Sequence, residues 1–108
     1  MSTSVAPEDF DLLLQGRGHL HVASHVPGRI RLKFDLSILS AAPEMADRGK
    51  EVIAAIKGIR DVEANLLARS LTIHYDPQVL PPAWWDDLYG ADEAAARQVV
   101  EKLKAAFG

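Results

Sequence analysis

The sequence predicts an α+β fold, an antiparallel sheet of about four strands with helices on one face and an extra helix at the C-terminus. Two observations predict it. Apolar and polar residues alternate with period two through 19–34 and 59–75, the pattern of strands with one buried face. Residues 43–57 and 92–107 instead place apolar side chains at helical spacing, and Pro43, Gly58 and Asp92 supply the starts and the stop.

Taken in order, residues 1–17 read as a flexible leader with a short helix, in which Phe10, Leu13 and Leu14 share a face before Gly16 and Gly18. That face either packs locally or docks a partner. Residues 18–108 form a single domain. Its first elements are strands 19–26 and 29–34, joined by Pro27-Gly28, the central pair of a type II turn. Hairpins prefer the primed turns, so a single strand kinked at Pro27 is the alternative.

Residues 36–42 show no clear period. Pro43 then opens a helix whose Met45, Gly49, Val52, Ile53 and Ile56 fall on one face, and Gly58 ends it. In 59–68, Val62, Ala64 and Leu66 alternate with Glu63, Asn65 and Leu67, and a short turn leads to Leu71, Ile73 and Tyr75 on one face of the next strand. Pro77, Pro81 and Pro82 mark a loop and the start of a helix bearing Trp84, Trp85, Leu88 and Tyr89. Asp92 is the N-cap of the last helix, whose stripe is Ala96, Val99, Val100, Leu103 and Phe107.

Composition limits the chemistry. The 108 residues contain no cysteine, which excludes disulfides, thiolate-bound metals and thiol nucleophiles. Any metal must be held through nitrogen or oxygen. A net charge of −3 gives no drive toward nucleic acid. Sheet-type RNA binding is disfavoured as well, since Phe34 and Tyr75 fall on the buried face. No apolar run approaches the ~20 residues of a membrane span, and the first residues lack the pattern of a secretory signal, so the expected location is cytoplasmic. Neither a phosphate-binding glycine loop nor a nucleophile signature occurs, and the protein is expected not to be an enzyme.

Strand, helix, strand, strand, helix is a nearly complete ferredoxin-like unit. The strings Pro27-Gly28-Arg29-Ile30-Arg31-Leu32, Val52 through Asn65, and Leu71-Thr72-Ile73-His74-Tyr75-Asp76-Pro77 resemble the heavy-metal-associated domain family. The similarity is greatest to its cysteine-free subgroup, which includes N-terminal regions of metal-transporting P-type ATPases. It implies a ferredoxin-like sandwich and a binding module of metal homeostasis, with iron among the candidate metals and a metal transporter among the candidate partners. The family's Cys-x-x-Cys loop would fall at 35–42, where this chain has Leu36-Ser37-Ile38-Leu39-Ser40. The family's last strand is also replaced by the final helix, leaving 19–26 to fill that sheet edge.

With Leu20, Val22, Ile30, Leu32, Phe34, Val62, Ala64, Leu66, Leu71, Ile73 and Tyr75 turned toward the helices, the open face would carry His19, His21, His25, His74, Arg29, Arg31 and Lys33. Three uses follow. The histidines would hold a transition metal or the iron of haem, with His19 and His21 at the i, i+2 spacing that points both the same way. The cations Arg29, Arg31 and Lys33 would bind an anion or a protein partner. Otherwise the face is simply the solvated side of the sheet. Trp84, Val99, Leu103 and Phe107 are expected to form an interface, with a homo-oligomer as the simplest partner; a purely structural homo-oligomer is the remaining reading.

Overall fold

The computed structural model describes residues 5–107, apart from the side chains of 45–47 and 107. Four antiparallel strands, β1 (Leu20–Val26), β2 (Arg29–Phe34), β3 (Ile59–Asn65) and β4 (Ser70–Tyr75), form one sheet in the order β1-β2-β4-β3. The helices are α1 (Asp11–Gly16), α2 (Ile38–Ala41), α3 (Pro43–Ala54), α4 (Pro82–Leu88) and α5 (Glu93–Phe107). This is the ferredoxin-like α+β arrangement, with β1 on the sheet edge beside β2.

Alternation builds the core. Ile30, Leu32 and Ile73 are fully buried, while Arg29, Arg31 and Lys33 between them are exposed. Val52, Ile53 and Ile56 of the α3 region, Trp85 and Leu88 of α4, and Val99, Val100 and Leu103 of α5 join the same apolar cluster. Pro27-Gly28 makes the hairpin turn with Gly28 at φ +93°, the left-handed position a type II turn demands. Asp92 caps α5: its Oδ1 accepts from the Ala94 amide at 2.9 Å and the Ala95 amide at 3.3 Å.

Four expectations need correction. The described part of the expected leader, residues 5–17, does not stand apart: Phe10, Leu12 and Leu13 are buried in the core, because α1 and the 3₁₀ turn before it pack against α3 and α5, while residues 1–4 lie outside the described residues. The stripe of α5 from Ala96 to Leu103 is therefore covered from within. Val99 and Leu103 are 2% and 5% exposed, so neither is free to form an interface, and half-buried Trp84 lies beneath the Lys102 ammonium, 5.4 Å from its ring centre. The Phe107 side chain lies outside the described residues.

Leu66 is 78% exposed because β3 ends at Asn65 and residues 66–69 form the turn, where Asn65 Oδ1 accepts from the Ala68 amide and Arg69 takes φ +52°. Ala64 is exposed as well, and Val22 is 41% exposed on the edge strand. The fourth correction concerns β1. Its register slips between Val22 and Ser24, so His25 pairs with Ile30 and faces the core side rather than the open side.

Candidate functional site

The four histidines occupy four separate places. His19 ends a 3₁₀ turn ahead of β1, with Nδ1 3.0 Å from the Ser37 Oγ. His21 is on the open face, yet its Nε2 reaches Asp35 Oδ2 at 3.0 Å. His25 turns inward. Its side chain is only 11% exposed, and it bridges Tyr75 Oη at 2.7 Å through Nε2 and Asp86 Oδ1 at 3.0 Å through Nδ1. The carboxylate requires the proton on Nδ1, so in the neutral ring Nε2 accepts from the tyrosine hydroxyl. Tyr75 is buried against Trp85, with ring centres 5.3 Å apart. The arrangement fastens the β1 edge to α4.

His74 differs from the others. Near the end of the inner strand β4, it pairs with Arg29 of β2 on one side and Asp61 of β3 on the other. Its Nε2 lies 2.9 Å from Glu63 Oε2. Asp61 and Glu63 sit two residues apart on β3 and project to the same face. One ligand atom from each of Asp61, Glu63 and His74 falls within 4.8 Å of the others. Two carboxylates and an imidazole at such separations suit a hard or borderline divalent ion.

Register orders the rest of the face into rows. Ser24, Arg31, Thr72 and Glu63 form one, running from β1 to β3; Val26, Arg29, His74 and Asp61 form the next. Cations thus line β2 and carboxylates line β3, about 9–10 Å apart across the intervening strand. Lys33 is drawn away, donating to the Ala68 carbonyl at 3.2 Å. An open recess of about 780 Å³ lies over this surface, lined by Ser24, Arg29, Arg31, Glu63, Asn65, Thr72 and neighbouring residues. No histidine lines it.

Residues 35–42, where a thiolate loop would stand, hold α2 instead. Ile38 is buried there, Leu36 and Leu39 are exposed, and Leu39 borders an apolar groove of about 140 Å³ with Leu20, Phe34 and Ile53. Those residues do not fit a soft-metal site; the donor set on β3 and β4 fits a harder ion. Sequence reasoning placed His74 on the open face but passed over Asp61 and Glu63. The signal was present in Asp61-Val62-Glu63, whose outer positions meet the outer positions of the next strand once the hairpin register is drawn.

A family model described as heavy metal associated domain 2 matches residues 8–103. No curated protein and no solved structure matches the chain.

Proposed function

The chain belongs to the heavy metal associated domain 2 family, and on that premise we propose a non-enzymatic module of metal homeostasis that takes a divalent transition-metal ion through Asp61, Glu63 and His74. The single observation that carries this reading is the convergence of three ligand atoms within 4.8 Å on the open face. Family membership supports a metal as the ligand, and with no cysteine in the chain its ligands would be oxygen and nitrogen rather than sulfur. Three protein ligands leave further coordination positions to water or an exogenous ligand, as suits an ion that is cargo to be taken up and released. On this reading the ion passes to or from a protein partner such as a transporter. Haem is less well supported, because the recess beside Arg29 and Arg31 has no histidine in its lining to ligate the iron.

Binding requires a neutral imidazole and ionised carboxylates, so affinity falls as pH drops. Calorimetric titration with Mn²⁺, Co²⁺ and Zn²⁺ tests the site. One ion per chain is expected for the best-bound metal, with affinity falling at least about tenfold in His74→Ala and in Glu63→Gln. The His19→Ala/His21→Ala double variant should bind as the wild type does. Loss of binding in that double variant, or full binding by His74→Ala, would place the ion elsewhere.

A further inference from the structure

We infer that the recess over β2 and β4 binds a small multivalent oxyanion, a polycarboxylate or phosphate, between Arg29 and Arg31, and that this anion and the cation at the neighbouring triad favour one another. Among the described residues neither guanidinium makes a hydrogen bond or an ion pair, whereas Arg48, Arg60, Arg97 and Lys104 each meet a carboxylate. Both arginines line the same recess of about 780 Å³. They stand two residues apart on one strand, about 7 Å, which suits a ligand with two anionic groups or a phosphate drawn to one fork with the second charge beside it. Register places Ser24 and Thr72 on either side of Arg31, supplying hydroxyl donors in the same row.

Glu63 closes the far end of that row and also lines the recess, so in the free protein its carboxylate opposes an anion. A divalent ion on Asp61, Glu63 and His74 neutralises the two carboxylates at that wall and leaves coordination positions that an anion oxygen can fill. By linkage, whatever factor the cation adds to anion affinity the anion adds to cation affinity. The recess stands independently of the cation; only the coupling rests on the function proposed above.

Titration of the metal-free protein with citrate and with inorganic phosphate, followed by amide chemical shifts, tests the recess. Saturable shifts centred on Arg31, Ser24 and Thr72 are expected, and the Arg29→Ala/Arg31→Ala variant should lose at least tenfold in affinity. Tighter binding of citrate assigns a polycarboxylate; tighter binding of phosphate assigns a phosphate. Glu63→Gln should act in opposite directions, weakening Mn²⁺ binding while strengthening anion binding several-fold in metal-free protein. If neither anion binds the wild type, or the double arginine variant binds both unchanged, the inference is overturned. If the anion binds through the arginines but Mn²⁺ does not bind, the recess stands and the cation site falls.

Discussion

Asp9 shows how much one carboxylate can organise. Its Oδ2 accepts from the Ala6 amide at 2.9 Å, closing the turn before α1, and its two oxygens receive the Arg48 guanidinium of α3 at 3.2 and 3.3 Å. The backbone hydrogen bond, helped by Arg48, holds its carboxyl below the usual 3.8. A carboxyl with a depressed folded value binds protons more weakly in the folded state than in the unfolded one. Its contribution to stability is therefore fully present above pH 3.8 and is lost as pH falls through the lower folded value. The variant Asp9→Asn should be less stable than the wild type at pH 7, and the two should converge as denaturation is repeated toward pH 2. A difference that persists undiminished into acid would show that the amide disturbs packing rather than removing a charge. His25 carries a related lesson in position rather than charge. Nothing in its own side chain indicated that it faces inward; one extra residue upstream decided that.

At the scale of elements, strongly alternating segments were legible and irregular ones were not. In β2 the run Arg29-Ile30-Arg31-Leu32-Lys33 leaves only one phase that buries Ile30 and Leu32, so the positions of its cations follow from the sequence. In β1, Ala23-Ser24-His25 offers no large apolar residue to hold the phase, and a bulge costs little on an edge strand. The metal triad was half legible for a similar reason: its members come from two strands, and only their register shows that they meet. The helix α3 ends at Ala54, short of Gly58, but the turn that carries the chain from it into β3 was legible at that glycine. There φ is +99°, and an added Cβ would stand 2.8 Å from Val79 Cγ1 and 3.1 Å from Leu80 Cγ. The Gly58 carbonyl accepts from the Asp76 amide at 2.8 Å, so the position ties the turn after α3 to the loop after β4. Gly58→Ala combines left-handed backbone strain of about 1–2 kcal/mol with overpacking of about 1–3 kcal/mol. At Gly28, also at positive φ, the nearest atom is the Tyr75 carbonyl oxygen at 3.5 Å, so Gly28→Ala meets the strain alone. Urea denaturation should therefore rank Gly58→Ala as the more damaging of the two. Equal losses would mean that Val79 and Leu80 move aside without cost.

For the whole molecule the decisive feature is how the extra helix is accommodated. The period of α5 made its apolar stripe legible, but not what covers it, because the covering residues lie at the opposite end of the chain. Phe10 and Leu13 are fully buried, and α1 with its preceding turn packs against both α3 and α5. Lys104 of α5 reaches Asp11 at 2.8 Å across the same junction. The segments α1 and α5 thus complete one core that spans residues 10–103 and, among the described residues, leaves the open sheet face uncovered. Phe10→Ala tests this arrangement. Truncating a fully buried phenylalanine costs about 3–5 kcal/mol, a large share of the roughly 5–15 kcal/mol that stabilises a domain of this size. The variant should show a correspondingly lower denaturation midpoint, in a single transition followed equally by tryptophan fluorescence and circular dichroism. A segment lying apart from the domain would shift the midpoint by less than about 0.5 kcal/mol equivalent, and such a result would return Val99 and Leu103 to the surface as candidates for an interface.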